Sequence, residues 1–159
     1  MVNKKIKKIN QLKGIIVKLK KQGKRIAFTN GCFDILHYGH VKYLEKAKKL
    51  ADILVVALNS DSSVKKLKGK NRPITPLRQR MEILAGLETV DFVTSFRVPT
   101  PYKVIRTLKP NLIIKGADWN IKDIVGKDIV ESYGGKVINI AYIKGVSTAG
   151  LIKKIAKKF

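Results

Sequence analysis

Hydrophobic residues follow two different spacings along this chain. In residues 5–22 the apolar side chains stand three and four positions apart, which predicts an amphipathic helix. Residues 25–29 and 52–58 are instead nearly continuous apolar runs, as expected of short strands that are covered on both faces of a sheet. Three further runs predict strands at 90–94, 111–115 and 136–140.

Helical patterns lie between these strands. The first of these helices is predicted from after residue 34 through Leu50, and the second is capped by Ser60 or Asp61. The third runs from Pro76 through Leu87, and the fourth begins at Pro101 and ends before Pro110. The fifth covers residues 125–133, and Ser147 caps the last. Residues 65–72 hold five basic residues and a Gly, and we predict a mobile loop there.

Strands and helices therefore alternate five times. This order predicts an α/β fold: a Rossmann-like doubly wound parallel five-stranded sheet in a three-layer α/β/α arrangement. A length of 159 residues suits one domain, so we expect a single domain over residues 1–159, with residues 1–23 forming a basic amphipathic helix packed on it. Ligands of such sheets bind at the carboxyl ends of the strands.

The charge of the chain changes this picture only in part. There are 34 basic and 11 acidic residues, a formal charge of +23, which raises the alternative of a basic nucleic-acid-binding protein. Most of the basic residues are Lys rather than Arg and are spread along the chain, so a solvated basic surface is favoured. The single Cys32 and the absence of a long apolar run predict a soluble cytoplasmic protein with no membrane partner and no specific nucleic-acid partner.

The most informative segment follows the first strand and reads TNGCFDILHYGH over residues 29–40. His37 and His40 stand three apart at the predicted start of a helix, so their side chains share one face. Gly39 leaves room for a phosphate near the backbone, and the helix start supplies free N–H groups. We predict a triphosphate pocket here. A zinc site on the His pair and two ordinary capping histidines are the alternatives.

These residues resemble a known signature. GCFD at 31–34 followed by HYGH at 37–40 is similar to the signature of the cytidylyltransferase-like branch of the nucleotidyltransferases, in which Val146, Ser147 and Thr148 would form a hydroxyl-rich turn before the last helix. Further segments resemble, in order and spacing over residues 24–156, the D-glycero-β-D-manno-heptose 1-phosphate adenylyltransferases. They are NSD 59–61, RPITP 72–76, QR 79–80, VD 90–91, TP 100–101, LKP 108–110 and KGAD 115–118.

The resemblance implies an enzyme that joins ATP, which carries Mg²⁺, to a heptose 1-phosphate, with ADP-heptose and pyrophosphate as products. It also implies a role in lipopolysaccharide core synthesis and a separate sugar kinase in the same pathway, and we expect a homodimer. A glycerol 3-phosphate cytidylyltransferase is the nearest alternative, and segments 72–76 and 109–110 disfavour it.

The resemblance and the positions of these residues also assign roles. Catalysis falls to His37, His40 and to Lys66 or Lys68 of the basic loop. Nucleotide binding falls to Thr29, Asn30, Gly31, Cys32, Phe33, Gly39, His40, Arg80, Ser147 and Thr148. Binding of the acceptor substrate falls to Asp34, Asn59, Lys115, Gly116, Asp118 and Trp119. No protein side chain is expected to ligate a metal directly, and Asp34 either orients its turn or holds the Mg²⁺ of ATP through water.

Three departures from the family pattern accompany these roles. Ala149 replaces a second Thr at the start of the last helix, so Ser147 and Thr148 must supply the hydroxyls there. Residues 96–99 read FRVP where the family is usually acidic. Ala117 replaces a Gly in the KGAD loop, a small change that we expect the loop to tolerate.

Overall fold

The computed structural model of the chain describes residues 4–141, 143 and 145–159. Its centre is one sheet of five strands, β1 (Ile26–Gly31), β2 (Ile53–Asn59), β3 (Phe92–Phe96), β4 (Leu112–Gly116) and β5 (Lys136–Ile140). Every pairing between these strands is parallel, and their order is β3-β2-β1-β4-β5. The predicted doubly wound sheet is confirmed, although β3 begins two residues later than expected.

Helices precede β1, lie between successive strands and follow β5. They are α1 (Ile9–Lys21), α2 (Tyr38–Lys48), α3 (Asp61–Lys68), α4 (Leu77–Ala85), α5 (Tyr102–Leu108), α6 (Lys127–Ser132) and α7 (Thr148–Lys158), with one 3₁₀ turn at Ile121–Asp123. No helix in the described ranges is long and apolar enough to cross a membrane.

Alternate residues of each strand enter two separate cores. On one face Leu54 and Val56 of β2 pack with Leu44 of α2 and Leu84 of α4. On the other face Val55 of β2 joins a second core that includes Leu12 and Ile16 of α1, Val104 and Ile105 of α5 and Val130 of α6. Because side chains of a strand point alternately to its two faces, one apolar run supplies both cores, and the three-layer prediction is confirmed.

The predicted first helix starts later than its pattern suggested. Residues 5–7 lie beside the edge strand β3, where Lys7 N donates to the Val93 carbonyl and Val93 N donates to the Lys5 carbonyl, both at 2.9 Å. An edge strand has unpaired backbone groups, and these contacts satisfy two of them. Residues 5–7 therefore continue the helical spacing of apolar residues in the sequence, but their hydrogen bonds to β3 hold them as extended chain.

The basic segment 65–72 also differs from its prediction. Its first four residues continue α3, which Ser60 caps by accepting a hydrogen bond from Ser63 N at 3.3 Å. Lys66 and Lys68 consequently lie in the last turn of this helix, before Gly69, rather than in a mobile loop. The cap and the burial of Val64 stabilise a helix that the charge of the segment obscured.

A buried arginine joins the carboxyl ends of two central strands. Arg80 of α4 is only 1% exposed, and its guanidinium donates to the carbonyls of Cys32, after β1, and Asn59, at the end of β2, at 2.6 and 2.9 Å. It also donates to the Thr75 carbonyl at 2.9 Å and to the Asp61 carboxylate at 2.7 Å. These bonds hold the start of α4 and α3 against the end of the sheet.

We expect Arg80→Met to lower the free energy of unfolding by about 3–5 kcal/mol, because it leaves buried carbonyls and one carboxylate without their donor. The measurement is urea unfolding followed by circular dichroism. Arg78 of the same helix, whose side chain is 89% exposed and pairs with Glu82, provides the matched control. Arg78→Met should change stability by less than about 0.5 kcal/mol, and equal effects of the two variants would contradict the structural role of Arg80.

Candidate active site

The candidate site lies where the strand order reverses. Connections from β1 and β4 leave the sheet in opposite directions, so a crevice opens between the carboxyl ends of these neighbouring strands. The N-termini of α2 and α7 meet beside it: a Cβ atom added to Gly39 would lie 3.6 Å from Val146 Cβ and 3.1 Å from the His37 ring. A residue with a side chain would displace that ring, so glycine at position 39 keeps the two helix starts close.

His37 and His40 form one stacked pair. Their ring centroids are 3.8 Å apart with an interplanar angle of 23°, and His37 is the N-cap residue of α2. The Phe33 ring lies 5.2 Å from His40 on the inner side. Phe33 has a φ of 44°, an uncommon conformation for a bulky residue, and it brings the ring over Gly31, where an added Cβ would lie 3.0 Å from it.

Both imidazoles are neutral at pH 7. Burial lowers the pKa of His40 to about 4, with a further lowering by the charge of His37 and an opposing hydrogen bond with the Ile35 backbone. Burial also lowers the pKa of His37. A triphosphate beside the pair would raise both pKa values, because a nearby opposite charge favours the protonated ring.

The site holds polar atoms that the protein itself does not satisfy. Within the described part of the chain, four buried side-chain atoms have no hydrogen-bond partner: His37 Nδ1, His40 Nδ1, Asn30 Oδ1 and Asn139 Oδ1. Buried polar groups in folded proteins are nearly always paired, so such atoms call for an explanation. All four belong to the strand ends and helix starts around this crevice, which is the pattern of a ligand site.

Lys115, near the end of β4, supplies a cation to the same crevice. Burial lowers its pKa to about 8, while the charge of Asp118 acts in the opposite direction. Its Nζ lies 3.3 Å from the Asn30 carbonyl and 5.1 Å from the centroid of the Trp119 ring. Asp118 and Trp119 are exposed beyond Gly116, which ends β4, so this loop is accessible to a ligand.

The hydroxyl-rich turn opens the last helix as predicted. Ser147 is the N-cap of α7, and its Oγ accepts a hydrogen bond from Gly150 N at 3.0 Å. Thr148 is the first helical residue.

Lys68, in the last turn of α3, places its charge near the turn after β1. Burial raises the pKa of the Cys32 thiol in that turn, and the positive charge of Lys68 opposes this rise.

Four side chains predicted to bind substrates make hydrogen bonds within the protein. The buried guanidinium of Arg80 donates to three carbonyls and to Asp61. Thr29 is fully buried and its hydroxyl pairs with Tyr43 OH at 2.9 Å. Asn59 is buried and its amide donates to Ser63 Oγ at 3.0 Å. The substrate contacts of these three residues stay predictions.

Asp34 is the fourth of these side chains, and it orients its turn, the first of the two roles predicted for it. The carboxylate is fully buried and accepts hydrogen bonds from Arg72 Nε at 2.5 Å, Ile74 N at 2.9 Å and Thr75 N at 2.8 Å. Burial by itself would raise the pKa of Asp34, but these bonds lower it below its usual value. The oxygens of Asp34 face the protein's own donors, and its predicted substrate contact stays a prediction.

Sequence reasoning missed Asn139. The only signal for it was a polar residue in the otherwise apolar run 137–140 at the carboxyl end of the last strand.

The described residues contain no group of three or more His, Cys, Asp or Glu side chains arranged to hold a metal ion. The His pair therefore has no third ligand of these types within that part of the chain.

The pKa of Lys115 leads to a prediction about pH. Below about pH 8 its amine is charged and can pair with a phosphate, and above that pH the charge is lost. We expect the affinity for the predicted acceptor, heptose 1-phosphate, to fall as pH rises from 8 to 9.5, by up to about tenfold per unit. Calorimetry of heptose 1-phosphate binding checks this. Lys115→Met should bind more weakly with a flatter profile, whereas a pH-independent affinity of the unaltered protein would contradict the assignment.

Curated relatives are similar to this chain over nearly its whole length. It is 48% identical over 155 residues to the "Bifunctional protein HldE" of Geobacter sulfurreducens and 50% identical to that of Geobacter metallireducens. Each alignment covers 98% of this chain and 32% of the relative, so the chain spans about a third of the length of the curated relatives it matches.

Solved structures agree on the fold. One is that of a "lipopolysaccharide core biosynthesis protein from Thermoplasma volcanium GSS1", with 29% identity, a TM-score of 0.64, and coverage of 78% of this chain and 100% of that one. A pantoate-beta-alanine ligase from Francisella tularensis, solved in complex with "Beta-gamma ATP and Beta-alanine", is 18% identical with a TM-score of 0.56, and the match covers 96% of this chain and 78% of that one. The cytidylyltransferase-like family itself matches residues 28–156, which include the His37–His40 pair, Lys115 and Ser147, and the chain therefore belongs to that family.

Proposed function

We propose that this chain is an adenylyltransferase that transfers AMP from ATP to D-glycero-β-D-manno-heptose 1-phosphate, releasing pyrophosphate. A phosphate oxygen of the sugar attacks the α-phosphorus, and the bond from that phosphorus to the oxygen bridging to the β-phosphate breaks in line. The nucleophile is already an anion, so no general base is needed. The observation that carries this proposal is the stacked, neutral His37–His40 pair at a helix start, whose Nδ1 atoms are both buried and have no partner in the described part of the chain.

The histidines stabilise the charge that the reaction moves. In the free protein both rings are neutral, and burial is the main reason. The negative charge of a bound triphosphate favours their protonation, so positive charge is drawn to where negative charge accumulates on the phosphates and on the leaving pyrophosphate. A pair that charges only in the presence of its anion avoids the repulsion of two fixed cations at 3.8 Å in the free protein.

Two helix starts complete the phosphate subsite. The N-termini of α2 and α7 meet at Gly39 and Val146, and each presents backbone N–H groups and positive potential. Ser147 and Thr148 add hydroxyls in the absence of the second Thr that the family usually has. Lys115 from β4, and Lys68 from the end of α3, bring charge from the other side, and Lys68 is the better candidate of the two α3 lysines for closing over the phosphates.

The choice of substrates rests on resemblance rather than on geometry. The segments at 72–76, 108–110 and 115–118 follow the order and spacing of the heptose enzymes. The similarity to relatives called bifunctional, of which this chain spans about a third, supports a second activity such as a sugar kinase in the same pathway. The similarity to the Thermoplasma volcanium protein, which is named for lipopolysaccharide core biosynthesis, supports a role in that synthesis. Cytoplasmic location and a homodimer remain predictions.

Magnesium belongs to this proposal as part of the substrate, MgATP. The Asp34 carboxylate is occupied by Arg72, Ile74 and Thr75, so we place the ion on the phosphates rather than on that carboxylate. Magnesium commonly enters phosphoryl-transfer sites in this way, held by substrate oxygens and water. The protein's own contribution is then positioning and charge stabilisation through His37, His40 and Lys115.

Replacement of either histidine tests the catalytic assignment. We expect His37→Ala or His40→Ala to lower kcat by about 100-fold or more, the scale of losing one charge-stabilising donor in a prearranged site. Pyrophosphate release measures the rate, and thermal unfolding confirms that each variant folds. Asn10→Ala, on the exposed surface of α1, is the control and should leave the rate unchanged. Near-normal turnover in a folded His variant would refute the assignment.

A comparison of substrate pairs tests the specificity. We expect kcat/KM for ATP with heptose 1-phosphate to exceed that for CTP with glycerol 3-phosphate by about 100-fold or more, because a buried polar group left unpaired by the wrong substrate is costly. Pyrophosphate release with each pair gives the values. A higher kcat/KM for CTP with glycerol 3-phosphate would establish the alternative cytidylyltransferase, and no release with any sugar phosphate would favour a binding protein.

A further inference from the structure

Three polar side chains form a row across the carboxyl ends of neighbouring strands. In the β4–β5 ladder Lys115 is paired with Asn139. In the β1–β4 ladder Phe28 is paired with Ile113, so Asn30, two residues farther along β1, lies level with Lys115. Residues two apart in a strand point to the same face, and neighbouring strands are about 4.8 Å apart. The row Asn30–Lys115–Asn139 therefore covers about 10 Å at the upper edge of the α1/α5 core.

The two ends of this row are acceptors that find no donor among the described residues. Asn139 donates from its amide to the Trp119 carbonyl at 2.7 Å, which fixes the side chain and leaves Oδ1 buried without a donor from that part of the chain. Asn30 Oδ1 is likewise buried, with no partner in the described ranges. Between them Lys115 Nζ donates a long hydrogen bond, 3.3 Å, to the Asn30 carbonyl. A buried acceptor without a donor destabilises a protein unless a ligand supplies the donor.

The chemistry of the row specifies what it binds. Two acceptors require a ligand with O–H or N–H donors, and the ammonium between them requires negative charge nearby. The Trp119 ring, 46% exposed and 5.1 Å from Lys115 Nζ, offers an apolar wall against which the C–H face of a sugar can pack. A phosphorylated sugar combines hydroxyl donors, an anionic group and an apolar face, and it is long enough to reach along the row.

We propose that Asn30, Lys115 and Asn139 form a sugar-phosphate subsite in which Asn139 Oδ1 accepts a hydrogen bond from a ring hydroxyl and so determines specificity. This inference rests on the proposed function, because both substrates of that reaction carry a sugar joined to phosphate. The hydroxyl belongs either to the ribose of ATP or to the acceptor sugar. In both cases Asn139 is a ligand-binding residue that no sequence motif of the chain marks.

Calorimetry on the full chain tests this subsite without requiring turnover. Asn139→Leu removes the acceptor and is titrated with ATP, 2′-deoxy-ATP, 3′-deoxy-ATP and heptose 1-phosphate. We expect the affinity for either ATP or the heptose phosphate to fall about ten- to a hundredfold, the cost of leaving one matched hydroxyl unpaired. If ATP is the affected ligand, one of the two deoxy nucleotides should bind the unaltered protein and the variant equally well.

Two further variants separate the acceptor from other roles. Asn139→Ser keeps an uncharged acceptor oxygen but loses the amide that holds the Trp119 carbonyl, and it should retain more of the affinity than Asn139→Leu. Asn10→Leu replaces Asn by Leu on the exposed surface of α1 and should change nothing. Equal weakening by Asn139→Leu and Asn139→Ser would show that only the tether to Trp119 matters, and the proposal would fail.

The result is independent of the heptose assignment. Unchanged binding of both ATP and heptose 1-phosphate by Asn139→Leu would overturn the subsite while leaving the proposed reaction intact. Conversely, an ATP affinity that depends on Asn139, in a protein that does not turn over heptose 1-phosphate, would support the subsite and refute the proposed acceptor. Thermal unfolding of each variant establishes that the comparison is made between folded proteins.

Discussion

The buried guanidinium of Arg80 is the interaction on which the geometry of this site depends. The carboxyl ends of parallel strands lie along one edge of the sheet. The loops that follow these strand ends need further contacts to hold them in place. Arg80 binds the carbonyls that follow β1 and end β2, together with Thr75 and Asp61. The neighbouring Asp34 carboxylate accepts from Arg72, Ile74 and Thr75. The turn that precedes His37 is therefore fixed on both sides by charge-assisted hydrogen bonds.

A fixed turn lets the histidine pair be neutral and partly buried in the free protein. Free imidazoles in water would protonate near pH 6.5, whereas burial against Phe33 lowers the pKa of His40 to about 4. Above pH 6.5 this arrangement is stable, and it loses stability as pH falls from 6.5 towards 4, because the unfolded chain then binds more protons than the folded one. The same burial makes the pair respond strongly to an approaching triphosphate, which is the basis of the proposed catalysis.

The distribution of satisfied polar groups separates the framework from the site. Thr29, Asp34, Asn59 and Arg80 are buried and paired within the protein. His37, His40, Asn30 and Asn139 each have a buried atom that finds no partner among the residues that the structure describes. Both sets lie near the same edge of the sheet, and residue type does not distinguish them. The two sets differ in whether each side chain finds hydrogen-bond partners within the protein. This difference places Asn139, beside Lys115, with the residues of the site.

The sequence by itself determined the order of the elements, the doubly wound sheet and the family, because hydrophobic spacing and the two His of HYGH are local properties of the chain. The position of the site followed, since the motifs stand after β1, β4 and β5. Tertiary structure decided which polar residues face the crevice. Whether Arg80 meets a phosphate or the Asn59 carbonyl, and whether Asn139 meets a protein donor, depends on strand register and on helices far away in the chain. Local patterns carry no information about those long-range contacts.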